Sequence, residues 1–217
     1  MEIIPVLDVM GERAVAGKSG ERETYSELKT IFSDSSDPVG IAETLPFDRL
    51  YVADLDGIMR GEPDLKLLDR LSRVKKVLVD IGIRDYKDFQ KLDPLDVDVI
   101  VATETLKSPD RLQDMLHGAI VSIDMKDRKV LSPFLPEEVS EAFDFLKNMD
   151  AKRFIFLDIS SVGTLTGNRF DFLRALDWSS EEITVGGGIT GDDLKVLEEM
   201  GVKGALVGTA LHRGLIK

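Results

Sequence analysis

This sequence contains no cysteine and very little histidine, asparagine or glutamine. Only two of its 217 residues are histidine. The absence of cysteine excludes disulfide bonds, thiolate zinc sites and thiol catalysis. His117 and His212 have no second His, Asp or Glu at metal-ligand spacing, so we expect surface or packing roles for both. Acid–base chemistry is therefore left to the carboxylates, and the shortage of amide side chains favours a thermophilic source.

Long apolar runs and an excess of positive charge are also missing. The longest apolar stretches, such as 154–157 and 204–207, are far shorter than the roughly 18 residues that cross a bilayer. The first residues lack the basic segment and cleavage site of a secretory signal, so we expect a cytoplasmic protein without a membrane partner. Lys and Arg number 28 against 40 Asp and Glu, giving a net charge of -12. That charge argues against nucleic acid as a partner.

Short β-branched runs alternate with charged segments whose apolar residues recur every three or four positions. This pattern is typical of alternating strands and helices. It predicts strands at 3–7, 49–53, 76–79, 97–101, 119–123, 154–157, 183–185 and 204–207. It predicts helices near 38–44, 65–73, 86–91, 109–116, 136–148, 170–176 and 192–200, with Ser35, Ser108 and Thr190 close to helix starts. Strands with so few charges indicate a parallel sheet covered on both faces, either a closed barrel or a doubly wound open sheet.

An internal repeat favours the barrel. Gly82 aligns with Gly188, and Thr103 aligns with Thr209, each pair 106 positions apart. Two half-barrels, about 1–117 and 118–217, each with four strand–helix units, explain this correspondence. We therefore predict an α/β protein with one (β/α)₈ TIM-barrel domain over residues 1–217. The polar stretch 17–37 then lies above the first strand, as a lid or as a solvated loop.

Glycines after the seventh and eighth strands are the strongest local signal. In a barrel these loops surround a phosphate with main-chain N–H groups, here those of Gly187, Gly188, Gly208 and Thr209. In the first half, Asp80 stands where the second half has glycine, and a desolvated carboxylate repels an anion. The sequence therefore predicts a small phosphorylated metabolite as partner, held by one phosphate rather than two.

Aspartates close several of the predicted strands, at the barrel end where catalysis is expected. Asp8 and Asp124 occupy corresponding positions in the two halves, so they should face each other across the mouth as base and acid. We expect structural roles for Asp54, Asp56 and Asp158. Carboxylates can hold Mg²⁺ or Mn²⁺, but no ligand pattern recurs at several strands, so we predict no metal and no cofactor.

Several motifs carry a family resemblance. They are IIPVLDV at 3–9, YVADLDG at 51–57, GIR at 82–84, DISSVGTLTG at 158–167, GGGI at 186–189 and VGTAL at 207–211. In this order they resemble the histidine-biosynthesis barrel family (HisA/HisF), and within it the phosphoribosylformimino-5-aminoimidazole carboxamide ribotide isomerase. The resemblance implies an Amadori rearrangement of an aminoaldose to an aminoketose. Asp8 resembles the base that removes the sugar C2 proton, and Asp124 resembles the acid that protonates the ring oxygen.

The sequence also departs from that family. The family isomerase holds two phosphates, one in each half, whereas Asp80 and Ile81 replace two glycines of the first-half motif. Leu157 stands where a Thr is usual, and the segment after the fifth strand lacks the family's Trp. We therefore expect a divergent isomerase of a smaller, singly phosphorylated sugar derivative. Its predicted substrate-binding residues are Asp80, Gly82, Thr103 and Thr164, in addition to the second-half phosphate site.

Three other functions stay open. A lyase of similar architecture would need a metal or a buried lysine, and the strands offer only Lys76, at the wrong end. A non-catalytic phosphate-ligand sensor would keep the anion site without turnover. The true ribotide isomerase is the third, and complementation of a histidine auxotroph would identify it.

Overall fold

Eight parallel strands form a closed barrel in the computed structural model, which describes residues 1–17, 20–21, 24–165 and 170–216. In chain order they are Glu2–Met10 (β1), Arg49–Asp54 (β4), Lys76–Asp80 (β5), Asp98–Ala102 (β6), Ile120–Lys126 (β7), Arg153–Asp158 (β9), Glu182–Gly186 (β10) and Gly204–Val207 (β11). The last strand pairs in parallel with the first, placing Val207 opposite Pro5. This closure confirms the predicted (β/α)₈ barrel and excludes the open sheet.

Helices and short turns follow the barrel strands. The helices are Pro38–Thr44 (α1), Leu55–Arg60 (α2), Leu65–Ser72 (α3), Tyr86–Gln90 (α4), Leu112–Leu116 (α5), Val139–Asn148 (α6), Gly191–Glu199 (α7) and Thr209–His212 (α8). Two 3₁₀ turns cover Ile159–Ser161 and Asp171–Ala175. No helix in the described part of the chain is long and apolar enough to span a membrane.

The apolar core has two layers. One fills the barrel interior with Ile4, Tyr51, Leu78, Ile100, Ile120, Ile155 and Leu206. The other lies between strands and helices, where Phe143 of α6 packs edge-on against Phe154 of β9 at a centroid distance of 4.8 Å. Because β-strand side chains alternate between faces, the interior positions nearest the carboxyl ends of the strands are the ones that can reach a ligand.

Three short antiparallel strands extend the barrel strands. Arg13–Ala16 (β2) pairs with β1 and with Ser26–Glu27 (β3), while Lys129–Val130 (β8) pairs with β7. The first and fifth barrel strands thus both continue into hairpins, at corresponding places in the two predicted half-barrels.

Helices α5 and α6 begin three positions later than the sequence predicts, at Leu112 and Val139. Helix α5 begins at Leu112, three positions after Pro109, because Ser108 accepts a hydrogen bond from the Asp110 amide in a local turn and Arg111 takes a φ of 57°. Helix α1 begins at Pro38 as predicted, and its cap is Asp37, whose carboxylate accepts from Gly40 N at 3.0 Å. Thr190 caps α7 as predicted, in a reciprocal capping box with Asp193.

Candidate active site

A cavity of about 580 Å³ opens at the carboxyl ends of the barrel strands. Its walls include residues from the first, second, third, sixth and eighth barrel strands and from the loops after them. The segment after β1 also contributes, with ten residues between Val15 and Lys29 in the lining. Part of the stretch 17–37 therefore lines the cavity, rather than lying wholly in solvent.

Asp8 lies near the end of β1 and lines this cavity. It is half-buried, and its Cα pairs with Ala53 of the second barrel strand and with Val15 of the added hairpin. At this position the Asp8 carboxylate contacts the cavity, and pairing of the strand main chain on both sides fixes the direction in which the side chain points.

Asp124 lies on the fifth barrel strand, across the barrel from Asp8, and is only 1% exposed. Its carboxylate accepts the Ser122 hydroxyl at 2.7 Å and the Glu104 amide at 3.2 Å. Burial raises the pKa of Asp124 well above its usual value, and the charges of Glu104 and Asp80 raise it further. These surroundings favour the protonated form of the carboxyl group, which can then serve as an acid.

Asp124 does not itself line the cavity, whereas Glu104 does. Thr103, at the end of β6, accepts from Asp124 N at 3.0 Å and donates its own amide to Ser122 O. Thr103 therefore fixes the main chain of Asp124 and does not border the cavity. Its hydroxyl accepts this hydrogen bond inside the barrel wall, and its contact with a ligand stays a prediction.

Gly187, Gly188, Gly208 and Thr209 all line the cavity, on the side of the seventh and eighth barrel strands. Gly187 has a φ of 102°, and a Cβ there would lie 2.3 Å from Asp158 O. Gly188 has a φ of 64°, and a Cβ there would lie 2.5 Å from Ser161 O. Packing against the loop after the sixth strand is therefore enough to require both glycines. The exposed side chains of Lys29 and Arg213 line the same cavity and add positive charge.

The first half presents a different surface. Asp80 lines the cavity, is 4% exposed and accepts a hydrogen bond from Gly82 N at 2.8 Å. Gly82 does not border the cavity, because it packs against Ile58, whose Cα would lie 2.5 Å from a Cβ at this position. The Arg84 guanidinium donates to three main-chain oxygens, those of Gly57, Ile58 and Gly82. Carboxylates and carbonyl oxygens thus surround the place where the second half has its glycines.

The loop after the sixth barrel strand contains the remaining predicted site residue. Thr164 donates its hydroxyl to Ser161 O at 2.8 Å and does not line the cavity, although Gly163 and Leu165 on either side do. The last two residues of the DISSVGTLTG motif, Thr166 and Gly167, lie outside the described residues. Asp158 accepts from Ser160 and Ser161, which is the structural role expected for it.

His212 joins three parts of the site. It is 3% exposed and lines the cavity, and its Nε2 lies 2.8 Å from Val6 O. Since a carbonyl only accepts, Nε2 bears the hydrogen, and Nδ1 accepts from the Thr30 hydroxyl at 3.0 Å. Burial lowers the pKa of His212. This neutral imidazole ties α8 to β1 and to the segment over the cavity.

Sequence reasoning missed Tyr51, Glu104, Lys29 and Arg213, all of which line the cavity. Tyr51 had a signal, since it is an aromatic residue with a polar group in an otherwise aliphatic strand interior. Glu104 also had one, as an acidic residue two positions after the end of β6. The two basic residues had none, because only the closed barrel brings them together. Within the described ranges, no three His, Asp or Glu side chains are arranged to hold a metal ion.

Comparison with known proteins places these features in context. A family model described as "Histidine biosynthesis protein" matches residues 2–217. The chain is 34% identical to an uncharacterised protein of Methanocaldococcus jannaschii, covering 100% of this chain and 95% of that protein. It is 33% identical to a 1-(5-phosphoribosyl)-5-((5-phosphoribosylamino)methylideneamino) imidazole-4-carboxamide isomerase of Thermococcus kodakarensis, covering 100% of this chain and 94% of that protein.

Solved structures with much lower sequence identity share the fold. One is 3-hexulose-6-phosphate synthase from Salmonella typhimurium, with a TM-score of 0.61, 20% identity and coverage of 97% of this chain and 90% of that one. Another is KGPDC from Streptococcus mutans in complex with D-R5P, with a TM-score of 0.62, 11% identity and coverage of 97% and 89%. At such identities the likeness is one of architecture alone.

Proposed function

Because this chain belongs to the histidine biosynthesis protein family, we propose that it is an isomerase that converts an aldose derivative to a ketose derivative. We further propose a substrate with a single phosphate. The observation that carries this proposal is the cavity that Asp8 shares with Gly187, Gly188, Gly208 and Thr209. One small molecule in this cavity could contact both the Asp8 carboxylate and the glycine-rich surface proposed to bind its phosphate.

The proposed reaction moves protons only. Asp124, whose protonated form is favoured by burial, gives its proton to the ring oxygen of the closed sugar, and the ring C1–O bond breaks as the oxygen or nitrogen substituent on C1 forms a double bond to C1. Asp8 then removes the proton on C2, and a C1–C2 double bond forms as the electrons of the C1 double bond return to the substituent on C1. The C2 hydroxyl next gives its proton to Asp124 as the carbonyl forms at C2, and C1 takes up the proton that Asp8 holds. The step is redox-neutral, so its atoms and electrons balance without a further reactant.

Glu104 has a part in this scheme because it contacts Asp124 and also borders the cavity. Its amide donates to the Asp124 carboxylate, and its side chain borders the cavity. We assign proton delivery to Asp124, with Glu104 as its neighbour at the cavity surface. Turnover requires Glu104 to shift aside or to carry the proton across.

One phosphate accounts for the charge distribution better than two. Lys29 and Arg213 lie on the cavity wall together with Gly208 and Thr209. Asp80 and Glu104 line the wall contributed by the third and fourth barrel strands. A second phosphate there would meet carboxylates where it needs donors, and like charges at short range are costly.

Solvent-exchange NMR tests the proposal without knowledge of the natural substrate. The purified chain would be incubated in D₂O with aldose phosphates, including D-ribose 5-phosphate and D-glucosamine 6-phosphate, and the C2–H signal followed. We expect exchange for at least one compound, a loss of about 100-fold or more in Asp8→Asn, and normal exchange in Asp48→Asn, a variant of a loop aspartate outside the cavity lining. Exchange that is equally fast in Asp8→Asn contradicts the proposed base.

The 33% identity to the Thermococcus kodakarensis isomerase favours one second candidate, the same ribotide isomerisation. Growth of a histidine auxotroph lacking that isomerase, transformed with this chain, would support it. We expect no growth, because Asp80 occupies the first-half glycine position. Growth that depends on Asp8 would replace the single-phosphate proposal with this second function.

A further inference from the structure

Tyr51 carries a hydroxyl group that the proposed chemistry has not used. It lies on the second barrel strand, faces the barrel interior, and is 4% exposed. Its side chain lines the cavity. The hydroxyl makes no hydrogen bond to any residue that the structure describes. The hydroxyl is not among the buried side-chain polar atoms that lack a partner in the described part of the chain, so it is accessible from the cavity, where a ligand can bond to it.

The charges around Tyr51 fix its protonation state. Burial raises the pKa of the phenol well above 10, and the carboxylates of Asp80, Asp124, Asp8 and Glu104 raise it further, in that order. The phenol therefore keeps its hydrogen throughout the physiological range. Inside this cavity Tyr51 is a donor, and its oxygen can also accept.

The same wall contains two acceptors. Asp80 and Glu104 line the cavity. Asp80 pairs with Ala53, the next interior-facing residue after Tyr51 on the second barrel strand. A group that binds here must accept a hydrogen bond from the phenol and donate one to a carboxylate. A neutral hydroxyl does both. A phosphate only accepts and is repelled, and an ammonium group only donates.

We propose that Tyr51, Asp80 and Glu104 form a subsite for a sugar hydroxyl group at the end of the substrate away from its phosphate. Tyr51 is then a specificity-determining residue that selects a hydroxyl over a second phosphate. This inference rests on the proposed function, because the phosphate at Gly187 and Gly208 sets which end of the substrate reaches Tyr51. The subsite states what the half of the cavity without the proposed anion site would bind, namely a hydroxyl group.

Calorimetric titration of wild type and Tyr51→Phe tests the inference with three probes, namely inorganic phosphate, D-ribose 5-phosphate and D-ribose 1,5-bisphosphate. A neutral hydrogen bond contributes about 0.5–1.5 kcal/mol, which corresponds to roughly 2- to 12-fold in affinity. We expect Tyr51→Phe to bind D-ribose 5-phosphate about 5-fold more weakly and inorganic phosphate unchanged. We expect the bisphosphate to bind wild type more weakly than the monophosphate does.

Tyr86→Phe is the matched control. Tyr86 stacks on Phe89 outside the cavity, so its variant should bind all three probes as wild type does. Thermal melts of both variants report folding separately, and Tyr51→Phe should melt no lower than wild type because it removes a hydroxyl without a protein partner.

The outcomes separate the two proposals. If wild type binds inorganic phosphate and Tyr51→Phe binds D-ribose 5-phosphate as tightly as wild type, the hydroxyl subsite is wrong and the phosphate site stands. If the bisphosphate binds more tightly than the monophosphate, the subsite is also wrong. If inorganic phosphate fails to bind wild type, the proposed function loses its anion site. The ratio of D-ribose 5-phosphate affinities in the two proteins still decides the role of Tyr51.

Discussion

Ser122 donates its hydroxyl hydrogen to the Asp124 carboxylate over 2.7 Å, with both side chains inside the barrel wall. The same carboxylate also accepts the Glu104 amide. These two donors favour the ionised form, yet burial outweighs them, so that the pKa of Asp124 is raised. The balance makes Asp124 the group whose protonation controls both stability and proposed activity.

Asp124 is predicted to lower stability as pH rises. A raised native pKa means that the folded state binds its proton more tightly than the unfolded chain, so the free energy of unfolding falls from about pH 4 up to the native pKa. Each unit of difference between the two pKa values corresponds to about 1.4 kcal/mol. Urea unfolding at pH 5 and pH 8 should show a smaller loss in Asp124→Asn than in wild type. An identical loss in both proteins would contradict the assignment.

Glu104→Gln is predicted to move the alkaline limb of the activity profile to lower pH. The Glu104 charge raises the pKa of Asp124, so its removal lets Asp124 lose the catalytic proton at a lower pH. The measurement is the rate of C2–H exchange as a function of pH in both proteins. Glu43→Gln, on the exposed side of α1, should leave the profile unchanged. An alkaline limb that moves upward in Glu104→Gln would refute the coupling.

The glycines of the anion site are predicted to separate folding from binding. Gly187→Ala forces a Cβ to 2.3 Å from Asp158 O at a φ of 102°, and should cost about 2 kcal/mol or more. Gly208→Ala places its Cβ 3.6 Å from Val6 Cβ, an ordinary contact. It should melt within a few degrees of wild type but bind inorganic phosphate about 10-fold more weakly, because the methyl group blocks main-chain donors. Unchanged phosphate binding in Gly208→Ala would remove this site from the proposal.

His212 is predicted to make the protein less stable in mild acid. Its pKa is lowered by burial, so the unfolded chain takes up its proton first, and stability is lost as pH falls below about 6.5. His212→Gln should lose about 1 kcal/mol at pH 7.5 but show a smaller further loss at pH 5. Thr30→Val removes the donor to Nδ1 and keeps the imidazole, so its acid sensitivity should remain. Equal pH dependence in wild type and His212→Gln would exclude this role.

The sequence predicted the barrel well because its strands are strongly patterned. All eight predicted strands overlap the barrel strands, and closure between β11 and β1 agrees with the repeat. The helices α2 and α8 were missed because they follow β4 and β11 with at most one residue between, so no loop marks where the strand ends and the helix begins. The hairpin strands were missed because their pairing depends on where β1 and β7 extend beyond the barrel.

The site was predictable only where a residue's role follows from its position on a strand. Asp8 and the second-half glycines border the cavity, as expected of strand ends. Asp124, Gly82 and Thr103 were expected at the cavity but lie within its wall, because side-chain hydrogen bonds and close packing turn them inward. Tyr51 lies inside its strand and reaches the cavity because its side chain is long. A prediction based on which residues end each strand does not detect such a residue.

The contact between His212 and Val6 joins residues 206 positions apart. A ribosome makes β1, which contains Asp8, well before the segment that completes the Gly208 and Thr209 side of the cavity. Until residues 204–212 have left the exit tunnel, the nascent protein has seven of its eight barrel strands, and the edge of β1 that pairs with β11 is open. The barrel can therefore hold a ligand only after this late segment has been made. A chain stalled before it would leave the edge of β1 unpaired and open to strands of other molecules.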